Sequence, residues 1–313
     1  MKNKKIIFLG TPEFAACVLE GLLVENYNVI AVVSQPDKPV GRKRILTPTP
    51  VKEVALKYNL PVYQPVSLRK DYEFLKELDF DMLITTAYGQ ILPQAVLDLA
   101  KINNINVHAS LLPKFRGGAP IHRSIIEGHK ETGVTIMEMV DKMDAGRMYA
   151  KAIYPINDEI NTTELFKELA IVGKELLLKT LPALLNNELE GEVQNEEEVT
   201  YAFNIKREEE KIDFHKTTVE VHNLIRGLAD VPGAYCIYKE KQFKIYKAKV
   251  YELKNDNVEV GTLKIEGKNN LLVKCLDGYL QLLSIQMEGK QKMDVKSFLN
   301  GINKEELVKY NLK

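Results

Sequence analysis

Cysteine is scarce in this 313-residue chain, and the three present, Cys17, Cys236 and Cys275, are odd in number and far apart. That excludes a disulfide framework and a zinc-ligand pattern, so the expected compartment is the reducing cytoplasm. Charge of one sign is also lacking, with 43 Lys plus Arg against 43 Asp plus Glu. Any nucleic-acid partner must therefore be recognised by a local patch rather than by bulk charge. Long apolar runs are missing too. The opening MKNKKIIFLGTPEF has a basic start, but its apolar run at 6–9 ends at Gly10 and Pro12. It is too short for a signal segment or a membrane span, and reads as a first strand. Finally, glycine is missing where a dinucleotide fold requires it. GTPEF carries Gly10 alone, and Pro12 occupies the turn, so there is no G-x-G-x-x-G cradle for a pyrophosphate.

What is present is an alternation of strand and helix patterns over roughly the first 180 residues. Strands are predicted at 5–10, 29–34, 60–65, 81–88, 105–110 and 134–140. Helices are predicted after Thr11, at 51–59, at 71–78 and over the long amphipathic stretch 164–185. Thr11 is expected to cap the first of them, with Pro12 and Glu13 in its first turn and Phe14, Val18 and Leu22 on one face. Such alternation implies an α/β fold, a doubly wound, mostly parallel, Rossmann-like sheet. The segment 186–199 then carries six glutamates in 14 residues and reads as an exposed linker. Beyond it the texture changes. Val221, Leu224, Ile225 and Leu228 lie at helical spacing, and short strands follow at 243–251, 262–266, 271–276 and 279–287. These suggest a small antiparallel β-barrel or meander. The division expected is a catalytic domain at 1–186, an acidic linker at 187–206 and a second domain at 207–313.

The chemistry concentrates in INVHASLLPKFRGGAPIHRS, residues 105–124. Asn106 and His108 are two apart on a strand and share a face, with His108 at the carboxyl end, where parallel sheets bind ligands. Asp144, past the end of the next predicted strand, is placed to approach His108. Ser110 shares the same face, but it lacks the G-x-S-x-G elbow that would expose a nucleophile. A lone strand histidine is commonly a satisfied core residue. Pro113, Gly117 and Gly118 favour the functional reading, because they suggest a close backbone approach to a ligand. His122, His129, His215 and His222 read as surface or packing residues.

Asn106-Val-His108-Ala-Ser110-Leu-Leu-Pro113, followed by Arg116-Gly-Gly118-Ala-Pro120, resembles the signature of folate-dependent formyltransferases. GTPEFA at 10–15, AYGQILP at 87–93 and DAGRM at 144–148 fit the same family. The resemblance implies transfer of a formyl group from 10-formyltetrahydrofolate to an amine, with no metal and no covalent enzyme intermediate. It implies that Asn106 and protonated His108 donate hydrogen bonds to the formyl oxygen, and that Asp144 orients His108 and assists proton transfer. It also implies a folate pocket lined by Ser110, Leu111, Leu112 and Pro113, with Gln90, Ile91 and Leu92 on the pterin side.

Three features bear on which amine is formylated. The segment PDKPVGRKRILTPTPVK, 36–52, holds Lys38, Arg42, Lys43, Arg44 and Lys52 against Asp37 alone. It reads either as a solvated loop, kept extended by Gly41 and its prolines, or as a basic arm for acceptor-stem phosphates. The resemblance favours the arm, made of Lys38, Arg42, Lys43 and Arg44, with Arg42 foremost. Residues 207–313 hold 19 Lys plus Arg against 16 Asp plus Glu, and resemble an OB-like tRNA-binding domain. Gln286-Met287-Glu288 departs there from the more usual Gln-Pro. The length exceeds that of single-domain members of the family. The partner implied is charged initiator methionyl-tRNA, met by a soluble monomer with no membrane attachment. Two alternatives are a formyltransferase acting on a nucleotide-linked amino sugar and a non-catalytic folate- or tRNA-binding protein.

Overall fold

A computed structural model describes residues 2–41, 43–102, 104–252 and 256–313. The chain forms two compact units. The first is Met1–Pro120, Glu131–Pro155 and Phe166–Phe203, and the second is Ile121–Lys130, Ile156–Leu165 and Asn204–Lys313.

The first unit is built on a seven-stranded sheet in the order Val62–Tyr63, Val29–Val33, Ile6–Gly10, Met82–Thr86, Ile105–His108, Glu131–Glu138, Met148–Pro155. The first five run parallel, Glu131–Glu138 runs against them, and Met148–Pro155 pairs antiparallel with Glu131–Glu138. Ile6–Gly10 and Met82–Thr86 are buried along their whole length, as strands covered on both faces must be. On one face Ile7, Leu9, Val33 and Leu83 pack with Leu68, Leu75 and Val96. On the other lie the helices Glu13–Val24 and Thr162–Leu185. Gly173 lets the longer helix approach the sheet, since a Cβ there would meet Val107 at 3.1 Å and Val134 at 3.5 Å.

Three local expectations are corrected. Thr11 does not cap the first helix. Pro12 occupies the N-cap position, and the Thr11 hydroxyl donates to the Tyr88 carbonyl at 3.0 Å instead. The strand Met148–Pro155 escaped the sequence pattern because it is an edge strand with several exposed positions. The acidic stretch keeps its glutamates in solvent, yet it is no loose linker. Glu192 and Met148 exchange two backbone bonds of 2.8 Å, Arg116 N–H donates to Thr200 O at 2.9 Å, and Ala202 N–H donates to Arg116 O at 2.7 Å. Gly191, Gln194 and Ala202 are buried between the exposed glutamates, so average composition misjudges the segment.

The second unit is an antiparallel sheet in the order Ala234–Tyr238, Lys241–Tyr251, Tyr279–Met287, Asn270–Lys274, Leu263–Glu266, with Met293–Asp294 paired to Tyr279–Met287. The helix Thr218–Gly227 opens with a capping box of Thr217 and Glu220. Its Val221 and Ile225 enter the core with Phe243, Ile245 and Leu282, and Leu224 packs against it. Among the described residues no ladder joins the two edge strands. Lys313 exchanges backbone bonds with Ile237 at 2.6 and 2.9 Å, and Leu312 N–H donates to Gly261 O at 2.9 Å. The expected barrel is thus an open sheet whose edges are bridged by the tail.

Candidate active site

The strand Ile105–His108 places Asn106 and His108 on one face, as its alternation requires. Thr85, beside Asn106 in the next strand, has its hydroxyl 3.1 Å from Asn106 Oδ1 and 3.2 Å from the Ile105 carbonyl. Accepting at Oδ1 leaves the amide NH2 of Asn106 to donate elsewhere. His108 is buried, and its Nε2 lies 3.1 Å from the Phe115 carbonyl. A carbonyl only accepts, so Nε2 carries the proton and Nδ1 faces Asp144. The Nδ1 to Asp144 Oδ1 distance is 3.7 Å, an ion-pair separation too long for a direct hydrogen bond.

Asp144 arrives by a route the sequence did not suggest. The strand Glu131–Glu138 is antiparallel, so its end lies beside Ile105 and away from His108. The loop 139–147 must turn back to bring Asp144 to the imidazole. Asp144 sits at φ 49°, a left-handed conformation that costs a non-glycine residue roughly 1–3 kcal/mol. Its Oδ2 accepts the Gly117 N–H at 2.8 Å.

That bond explains the tight backbone after His108. Ser110 donates to Lys114 O at 2.8 Å, and the Ser110 carbonyl accepts Thr135 Oγ1 at 2.7 Å. Thr135 Oγ1 in turn accepts Leu112 N–H at 3.2 Å. Phe115 then turns at φ 62° and Gly117 at φ 127°. Two results follow within three residues: the Phe115 carbonyl returns to His108 and the Gly117 N–H reaches Asp144. A side chain at Gly117 would meet the Ala202 carbonyl at 2.7 Å, so glycine is needed for both its dihedral and its closeness.

The residues expected on the folate side divide. Ser110 and Leu112 are buried in the turn, with Leu111 and Pro113 beside them. The loop after Met82–Thr86 turns through Ala87 at φ 45° and Gly89 at φ 84°. Leu92 is buried and Ile91 is exposed. The Gln90 amide ties this loop to the neighbouring segment 65–68, with Oε1 accepting Leu68 N–H at 2.7 Å. Burial pushes the Tyr88 phenol up to about 12, and its hydroxyl has no hydrogen-bond partner among the described residues. Backbone outside any ladder, next to buried leucines and at strand ends, suits a flat ring system with both polar edges and apolar faces.

Sequence reasoning missed a buried clamp behind Asp144. Arg116 is fully buried. Its Nε donates to Gln194 Oε1 at 3.0 Å and its Nη2 to Glu196 Oε1 at 2.8 Å. Lys142, in the Asp144 loop, reaches the other Glu196 oxygen at 3.0 Å. The Arg116 guanidinium, then Lys142, holds the Glu196 carboxyl below its usual range. Nη1 of Arg116 has no partner among the described residues, a cost of roughly 1–3 kcal/mol. Arg116 was visible only as part of a motif, and Gln194 lay hidden in the acidic stretch. Among the described residues no group of three or more His, Cys, Asp or Glu is arranged to hold a metal ion. His122 and His222 are packing residues, bonded to the carbonyls of Gly227 at 2.8 Å and Ala248 at 3.1 Å.

The basic segment is a two-stranded hairpin, not a loop held extended by its prolines. Lys38–Val40 pairs with Ile45–Thr47, with Lys38 opposite Thr47. Lys38, Lys43 and Arg44 are exposed at its surface, and Arg42 lies outside the described residues. Val40, Ile45 and Leu46 are exposed as well. Lys52 does not belong to this free charge. It pairs with Asp37 at 2.6 Å and bonds Gln64 at 2.8 Å. The Gln64 amide, then Lys52, keeps the Asp37 carboxyl below its ordinary range.

An imidazole and an amide on one strand face, with a carboxylate beside the imidazole, make a site suited to moving a carbonyl group onto an amine. The formyl transferase family matches residues 4–181, and the formyl transferase C-terminal domain matches residues 204–303. The chain belongs to the formyl transferase family. It is 48% identical over 311 residues, 97% of each chain, to a methionyl-tRNA formyltransferase of Lactococcus lactis subsp. lactis. It is 50% identical over 300 residues, 95% of each chain, to one of Listeria monocytogenes. In fold it resembles the N-formyltransferase of Helicobacter canadensis solved with folinic acid and dTDP-3-aminofucose. That likeness has a TM-score of 0.65 at 22% identity and covers 93% of this chain and 99% of that one. Among the described residues no helix is long and apolar enough to cross a membrane.

Proposed function

We propose that this chain transfers the formyl group of 10-formyltetrahydrofolate to the α-amine of methionine on charged initiator tRNA. The observation that carries the reading is the grouping of Asn106 and His108 on one strand face with Asp144 beside the imidazole, His108 Nδ1 and Asp144 Oδ1 being 3.7 Å apart. The folate donor supplies an activated formyl carbon when bound. The neutral amine forms a bond to that carbon, the bond from carbon to the folate nitrogen breaks, and the amine proton ends on that nitrogen.

The side chains divide this work. Thr85 holds the Oδ1 end of Asn106, so the NH2 end donates to the formyl oxygen as negative charge grows there. With Nε2 held by the Phe115 carbonyl, the Nδ1 proton of the imidazolium is the one offered to that oxygen. Asp144 Oδ2 is occupied by the Gly117 N–H, which leaves Oδ1 to stabilise the imidazolium and to pass the amine proton, directly or through water. Ser110, Leu111, Leu112 and Pro113 line the folate pocket. Leu92 and Ile91 lie on the pterin side, and Gln90 supports that loop from behind.

In this reading residues 1–186 carry the chemistry, 187–206 connect, and 207–313 bind tRNA. The exposed hairpin residues Lys38, Lys43 and Arg44, together with Arg42, meet acceptor-stem phosphates. The protein acts as a monomer in the cytoplasm. The deciding experiment offers 10-formyltetrahydrofolate with either methionyl initiator tRNA or a dTDP-linked amino sugar. Formylation of the tRNA alone is expected. Formylation of the sugar alone would overturn the acceptor assignment.

A further inference from the structure

The carboxylate of Asp144 is gripped at both its side chain and its main chain by groups on or bonded to one short stretch. Gly117 N–H holds Oδ2 at 2.8 Å. Its neighbour Arg116 presents Nε to Gln194 Oε1 at 3.0 Å. Gln194 Nε2 then donates to the carbonyls of Asp144 and of Gly146, both at 2.8 Å. A carboxamide has two N–H groups at one end and an acceptor at the other, so these three bonds admit a single orientation of the Gln194 amide. Gln194 is buried, and its hydrogen bonds reach Arg116 and the loop backbone.

We propose that Gln194 is a positioning residue for formyl transfer. Its two bonds to the 144–146 backbone fix where that turn sits, and so set the distance and angle at which the Asp144 carboxylate meets His108. The proposal rests on the reaction assigned above. The alternative is that Gln194 merely fills space and satisfies Arg116. The two roles separate chemically, because only the first needs the N–H groups. Gln194→Glu keeps the volume and strengthens the pairing with Arg116, but removes both donors and sets an oxygen against two carbonyls. Gln194→Ala removes everything.

The test compares both variants with the wild-type chain in three measurements: kcat and KM for each substrate, the pH profile of kcat, and the NMR titration of the His108 ring nitrogens. A misplacement of about 1 Å at the reacting centre lowers turnover on the order of 10²-fold, and that loss is expected in both variants. KM should stay within about twofold, since ground-state binding is untouched. The pH profile and the His108 titration should move together. A Gln194→Glu variant with wild-type kcat and an unmoved His108 titration would overturn the proposal. If Gln194→Ala fails to fold, the isosteric Glu variant carries the test alone. If the wild-type chain itself transfers no formyl group, the reaction assignment fails, and the His108 titration still decides whether Gln194 orients Asp144.

Discussion

The turn at 109–118 and the hairpin at 38–47 are both short, both rich in proline or glycine, and both tied to the expected reaction, yet they are built on opposite principles. In the turn the backbone groups around the site are committed. Ser110 and Thr135 tie the turn to itself, and the Phe115 carbonyl and Gly117 N–H tie it to His108 and Asp144. The hairpin is fixed at its base, through Asp37, Lys52 and Gln64, while its tip offers cations and apolar side chains to solvent. Positioning chemistry to a fraction of an ångström requires mutual constraint. Meeting a polyanion requires charge that is unspent. A lysine such as Lys52, spent on Asp37, is lost to the second purpose.

Substitutions in the two regions put this contrast to the test. The largest effect is expected from Asp144→Asn, which keeps an oxygen for the Gly117 N–H and removes the charge. Turnover should fall about 10²- to 10⁴-fold, while urea unfolding stays nearly that of the wild type. Wild-type turnover would remove Asp144 from the mechanism. Next is Gly117→Ala, which meets the Ala202 carbonyl at 2.7 Å and an unfavourable φ of 127°. A stability loss above about 1 kcal/mol is expected by urea unfolding, with turnover lowered alongside. A smaller and different effect is expected at the hairpin. Arg42→Ala or Lys43→Ala should weaken use of charged tRNA and reduce the salt slope of binding by roughly 1 for each phosphate no longer neutralised, with folate binding unchanged. An unchanged slope across a salt series would leave the arm a solvated surface.

The smallest effect is a pH effect shared by the two regions. Asp37 at the hairpin base and Glu196 in the clamp both have carboxyls held below their ordinary values, of 3.8 and 4.5. A group depressed in the folded state stabilises it fully above the ordinary value, and that contribution is lost as pH falls through the lowered one. Both anchors should therefore hold at neutral pH and loosen only in acid. Carbon-13 titration of the two carboxylates checks this, and an ordinary Glu196 titration would contradict the ion pair with Arg116.

Strand positions 6–10 and 82–86 were legible in the sequence, because a strand buried on both faces is rich in apolar and β-branched residues along its length. So was the shared face of Asn106 and His108, since alternation along a strand is a local property. The motif marked the site, and within it the glycine that the turn needs at 117. The antiparallel direction of the strand beside His108 was not legible, because strand direction depends on pairing partners far apart in the chain. Nor was the folding back that brings Asp144 to the imidazole. The same is true of the clamp. Gln194 lies 78 positions from Arg116, inside a run of glutamates whose composition signals solvent. Local patterns report which residues want burial or charge. Which distant groups satisfy one another is settled only when the whole chain has packed, and here that includes the bonds that hold the Asp144 loop beside His108.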